Sequence, residues 1–261
     1  MRALNTAGTG MVSQQMNLDV IANNLANVNT TGFKGQRAEF QDLVYQMYRP
    51  SGGPTGGGAR LPQAAQIGLG SKYVNSSTNF AQGSLQSTNN PLDLAISGDG
   101  FFEVDMPNGE TGYTRDGSFK VDADGQVVNS DGYKLKPNIT LPTGYRALSI
   151  SATGEVTAIT PGNNDPTTLG EIKLVVFPNQ AGLTRVGQNL YQSGIGSGAA
   201  TETAPNAGGA GSIQQGFTEG SNVQVVDEMV RMITAQRAYE INSKAIQTSD
   251  EMLGILNGLK R

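Results

Sequence analysis

Leu4-Asn5-Thr6-Ala7-Gly8-Thr9-Gly10-Met11-Val12-Ser13-Gln14-Gln15-Met16-Asn17-Leu18-Asp19-Val20-Ile21-Ala22-Asn23-Asn24-Leu25-Ala26-Asn27-Val28 opens the chain with a repeat. Leu4, Ala7, Met11, Gln14, Leu18, Ile21, Leu25 and Val28 alternate three- and four-residue steps, and seven of these eight are apolar. That spacing is the seam of a coiled coil. At the far end Val225, Met232, Tyr239, Ile246 and Leu253 recur every seven residues. A second row on the same segment, Glu228, Ala235, Asn242, Ser249 and Leu256, is mostly polar. Helices are predicted over about 4–28 and from about 223–227 to 257, with Asn222 as N-cap and Gly32 as a left-handed stop. Two seams bracketing one chain imply that the termini meet and that they join other copies. The Asn residues of the first helix are mediocre helix formers, so it is marginal alone and needs a partner.

Between the ends the signal changes. Asp99-Gly100, Asn108-Gly109, Asp116-Gly117, Asp124-Gly125 and Asp131-Gly132 recur at intervals of nine, eight, eight and seven residues. Short apolar or alternating runs separate them. These dipeptides supply the positive φ of tight hairpins, so a β meander is predicted. Further strands are expected at 147–151, 155–160 and 171–177. Residues 33–48 fit either a helix or an extended arm. Met47 to Gln63 is an insert rich in Gly, with Pro50, Pro54 and Pro62, and 193–212 is a second connector. The expected class is α+β: residues 1–32 and 217–261 as one coiled-coil domain, 33–65 as an extended linker with the insert, and 66–216 as an antiparallel β domain.

Composition narrows the chemistry. The chain of 261 residues has no His, Cys or Trp, and its net charge is −4. Without His and Cys the commonest general base and the thiolate metal sites are gone. Scattered basic residues give no case for nucleic acid. No stretch reaches the roughly 18 apolar residues that a membrane span needs, and no apolar core of a secretory signal precedes the body. Asp122-Ala123-Asp124-Gly125 reads as a turn, because Lys120 stands where a calcium loop needs an oxygen ligand. Ser197, between two glycines, has no histidine partner. No catalytic, cofactor-binding or metal-binding residues are expected.

Asn23-Asn24-Leu25-Ala26-Asn27-Val28-Asn29-Thr30-Thr31-Gly32-Phe33-Lys34 resembles a signature of bacterial flagellar rod and hook proteins. Ala238 to Thr248 is similar to the family's C-terminal signature. Ser97 to Phe102 and Tyr113 to Phe119 are similar to its central β segment. Gln41 to Gln46, running into an insert before Gln66-Ile67-Gly68-Leu69-Gly70, resembles the family's distal rod members. The resemblance implies a self-assembling, non-enzymatic subunit of the basal-body rod that crosses the periplasm. Such a rod transmits torque and carries the export channel, and its subunits leave by the flagellar type III apparatus. Implied partners are further copies, proximal rod and hook subunits at the ends, and the P-ring and L-ring around it. The alternatives are a hook or proximal rod subunit, or a secreted β-rich hydrolase with oligomerisation arms. Leu4, Ala7, Met11, Leu18, Ile21, Leu25, Val28, Val225, Met232, Tyr239, Ile246 and Leu253 are the expected assembly residues. Tyr45, Tyr48 and Leu61 are the expected anchors of an ordered insert wedged between subunits.

Overall fold

The computed structural model describes residues 2–51, 63–160 and 165–258. It divides into two compact units, one of residues 1–26, 36–77 and 224–261, the other of residues 27–35 and 78–223.

In the first unit, helix α1 (Arg2–Ala26) packs against helix α2 (Val225–Gly258). The pair is antiparallel: Gly10 lies beside Asn242, and Asn24 reaches Glu228. The rest of this unit is a long ribbon. Strand β1 (Gln36–Asp42) pairs with β4 (Ser71–Thr78), and β2 (Tyr45–Arg49) pairs antiparallel with β3 (Ala65–Gly68). The Leu43 N–H donates to the Gly70 carbonyl and Leu69 N–H to that of Val44, so the two pairs run on from each other through a kink. Residues 33–48 are therefore extended, not helical.

The second unit is the predicted meander. A seven-stranded antiparallel sheet runs in the order 184–187, 190–192, 111–114, 102–105, 134–136, 127–128, 120–121. Residues 147–150, 155–159 and 167–171 form a three-stranded sheet, and 94–97 pairs with 212–215. Phe102 and Val104 point inward, while Glu103 and Asp105 face out and share Lys136. Phe102, Phe119, Leu135, Ile139, Ile172 and Leu174 fill the main core. Each such side chain contributes on the order of 2 kcal/mol by burial. A second cluster is aromatic: Phe177 meets Phe101 and Tyr113 edge-on, with centroids 5.8 and 4.8 Å apart.

Several boundaries differ from the expected ones. Residues 36–42 and 45–49 are not part of a linker, since they form strands β1 and β2 of the ribbon in the helical unit. Residues 217–219 pair with 85–87 and so belong to the β unit rather than to the helices. The expected strand 171–177 is broken, because Ile172 donates its N–H to Gly154 before the chain pairs again at 174–176. Asn222 does not cap α2. Its side chain accepts from Gly35 N–H and donates to the carbonyls of Asn79 and Ala81, while Gln224 supplies the first helical carbonyl. Helix α1 stops at Ala26, six residues before Gly32.

Three Asp-Gly or Asn-Gly pairs, at 108, 124 and 131, close hairpins with positive φ at the glycine. Gly117 is different: its φ is ordinary, but a Cβ there would lie 1.6 Å from the Leu94 carbonyl oxygen. That carbonyl belongs to a core strand and cannot retreat. Gly117→Ala is expected to cost several kcal/mol, at the upper end of ordinary substitutions, while Gly109→Ala meets no atom and strains only its φ. Urea midpoints of the two variants, followed by tyrosine fluorescence, check the order; equal midpoints would show that the strand at Leu94 yields.

Candidate assembly surfaces

Helix α1 is amphipathic, and the expected row faces inward. Ala7 and Ile21 are buried; Leu4, Met11, Leu18 and Leu25 are half-buried. Val28 lies in the turn after the helix, in the β unit, and is half-buried there. On α2 the outcome is mixed. Met232, Ile246 and Leu253 are half-buried, whereas Val225 and Tyr239 are exposed. The most deeply buried side chains of α2 come from the row read as polar, namely Glu228 and Ala235.

The chemistry of α1 explains this. Asn24 is 2% exposed, and its side chain makes a reciprocal pair with the Gln36 backbone: Nδ2 donates to the carbonyl at 2.8 Å, and Oδ1 accepts from the N–H at 2.9 Å. Nδ2 also faces Glu228 Oε2 at 3.4 Å, and Arg231 closes on Glu228 Oε1 at 3.0 Å. Gly10 leaves room for the Asn242 amide. A polar row on α2 is thus met by polar and small positions on α1, which fixes register as a buried polar residue does in coiled coils.

That pairing leaves apolar side chains facing outward. Val226, Val230, Ile233, Ile241, Met252 and Ile255 share the far side of α2, with Val226 72%, Ile241 66% and Ile255 65% exposed. Their steps of four, three, eight, eleven and three are multiples of the helical repeat and form a third row, apart from the two rows read in the sequence. Patches of this extent mark interaction surfaces. The ribbon adds Val44, Tyr45, Met47, Tyr48 and Ile67, all more than half exposed. Arg2 lies over the Tyr48 ring at 5.2 Å. A hydrogen bond to Asp42, and then the charge of that carboxylate, raises the pKa of Tyr45. Leu61 lies outside the described residues.

The β unit holds a buried charge cluster that sequence reading missed. Glu219, Lys34 and Arg115 are each 1% exposed or less. Lys34 Nζ donates to Glu219 Oε1 at 2.6 Å and to the Ala81 carbonyl, and Gly83 N–H donates to the same oxygen. Arg115 donates to Glu219 Oε2 at 3.3 Å and to the Gly98 carbonyl. The backbone closes the knot, with Gly32 N–H donating to the Glu219 carbonyl. Arg185, stacked between Phe33 and Tyr191, donates to the Lys34 carbonyl. Burial pulls the pKa of Lys34 and of Arg115 down, and the Glu219 carboxylate opposes that shift in both. Lys34 and Arg115 each sit within a motif quoted above for its resemblance, which was the available signal; nothing marked Glu219. Ser197, also buried, closes a local turn by bonding Gly194.

Three family models match the chain: "Flagella basal body rod protein" over 4–34, "Flagellar hook protein FlgE/F/G D1 domain" over 95–158, and "Flagellar basal body rod FlgEFG protein C-terminal" over 214–259. The flagellar basal-body rod protein FlgG of Borreliella burgdorferi is 51% identical over 100% of this chain and 99% of its own length. That of Caulobacter vibrioides is 46% identical over all of both chains. The flagellar hook-basal body complex protein FlhP of Bacillus subtilis is 30% identical over all of both. The matched segments take in α1 with Lys34, the strands around Phe102 and Arg115, and Glu219 with α2, and with whole-length likeness at this level the chain belongs to the family of flagellar basal-body rod and hook proteins.

Proposed function

We infer that the chain is a structural subunit of the flagellar distal rod, stacking with further copies into a stiff hollow shaft. The observation that carries this is the end-to-end likeness to rod proteins named FlgG, joined to a helix pair whose outer face is left apolar. A side chain such as Ile255 gains about 2 kcal/mol when covered, and a polymer covers it in every copy. On this reading torque passes along the shaft, export runs through its centre, proximal rod and hook subunits meet its ends, and the P-ring and L-ring surround it. The aromatic ribbon supports a stiffening role for the insert: Tyr45 and Tyr48, with Leu61, anchor it between neighbouring subunits.

The test is negative-stain electron microscopy of the concentrated full-length protein. Straight hollow polymers are expected, and their persistence length should drop when residues 49–60 are deleted. A protein that stays monomeric at every concentration would remove the rod reading; a deletion variant as straight as its parent would remove the insert's role alone.

A further inference from the structure

Helix α1 and the ribbon of the first unit enclose a groove of about 850 Å³. Its floor is apolar, from Leu4, Val12, Met16, Leu43 and Leu69, and Tyr73 walls one side. Two charged side chains reach it, Arg2 and Lys72, both exposed, and no acid lines it. At the other end of this unit's chain, the last turns of α2 carry the opposite pattern. Met252 and Ile255 project outward at 55% and 65% exposure, one helical turn apart, beside the exposed Glu251. Described residues 245–258 contain no basic side chain. An apolar floor with a basic rim and an apolar ridge with an acidic rim are complementary in shape class and in charge.

One chain cannot seat its own ridge on the groove floor at Val12 and Met16. In the antiparallel pair Gly10 stands beside Asn242, so Val12 lies about four turns from Ile255 along the helix axis, by 1.5 Å of rise per residue. We propose that the groove receives the Glu251–Ile255 ridge of a second copy, with Met252 and Ile255 seated over Val12 and Met16 and Glu251 paired with Lys72. The two patches differ, so the contact is heterologous: each copy offers one groove and one ridge, and repetition generates a helical array instead of a closed dimer. The proposal rests on the rod reading and names the partner surface within it.

The absence of Cys allows a clean test. Two full-length variants, Val12→Cys and Ile255→Cys, are mixed at assembling concentration, one carrying a mass tag, and oxidised briefly. The mixed disulfide dimer is expected to exceed either homodimer severalfold. Lys72→Glu is expected to cut sedimentable polymer at least tenfold at low salt, and Glu251→Lys likewise; combining both changes in one chain should recover much of the yield. If the unmodified chain forms polymers but the mixed dimer does not form, or the Ile255→Cys homodimer dominates, the groove-and-ridge contact is wrong and the rod reading stands. Loss of polymer in both charge variants without recovery in the double variant also overturns the pairing. A parent chain that never polymerises overturns the rod reading and this contact together.

Discussion

Glu219→Gln is expected to destabilise the β unit by about 3–5 kcal/mol, the cost of leaving buried charge unpaired. Glutamine keeps the shape, and its oxygen can still accept from Gly83 N–H and Lys34, but its NH2 then faces Arg115, so the substitution removes the charge together with the Arg115 hydrogen bond. What remains is two cations, Lys34 and Arg115, both already disfavoured by burial. Lys34→Met is the informative companion. It removes the more solvent-hungry cation and leaves Glu219 balanced by Arg115, so its cost should be clearly smaller despite the loss of a 2.6 Å ion pair. Urea unfolding of the full-length variants, followed by the fluorescence of the buried Tyr113 and Tyr191, gives both midpoints. Equal losses would mean that the hydrogen bonds, and not the charge balance, hold the knot together.

That cluster also marks where the sequence stopped being readable. Glu219 lies 185 residues from Lys34 and 104 from Arg115, and no local pattern joins them. Local periodicity carried the rest. The hairpins at 108, 124 and 131 were legible because one dipeptide sets the backbone of a turn. Gly117 fits the same rhythm for another reason: the Leu94 carbonyl passes where its side chain would be, and only the fold brings that strand close. The inner row of α1 was legible, and the choice of row on α2 was not. It depended on what α1 offered, namely an Asn at 24 and a Gly at 10, and those positions selected Glu228 and Asn242 over Val225 and Tyr239. Residues 33–48 stayed ambiguous because a ribbon exposed on most of its surface shows neither helical nor strand periodicity.

Ile21→Asp is expected to abolish polymer formation while leaving the β unit folded. Ile21 is 3% exposed on the inner face of α1 and shares a small pocket with Asn17, Gln36, Ala38 and Glu228. A carboxylate there loses its hydration and meets the carboxylate of Glu228; Arg231 is already paired to that group, and Arg37, the other cation lining the pocket, is exposed. Desolvation of an unpaired charge costs several kcal/mol by order of magnitude, and like-charge repulsion adds to it. The helix pair has little to oppose this, since α1 is rich in Asn and cannot hold its own helix in water. Once α1 leaves α2, the groove floor from Leu4 to Met16 and the ridge at Met252 and Ile255 are no longer held in fixed places, so each copy forfeits its partner contacts as well. Ile21→Val is the control: it keeps an apolar group, costs about 1 kcal/mol, and should polymerise. Far-ultraviolet circular dichroism should show lost helix in the aspartate variant, and amide exchange should show Leu94 to Ile96 still protected. Sedimentation then reads polymer directly, and an aspartate variant with full helix content and parental polymer yield would show that this face of α1 does not organise the assembly.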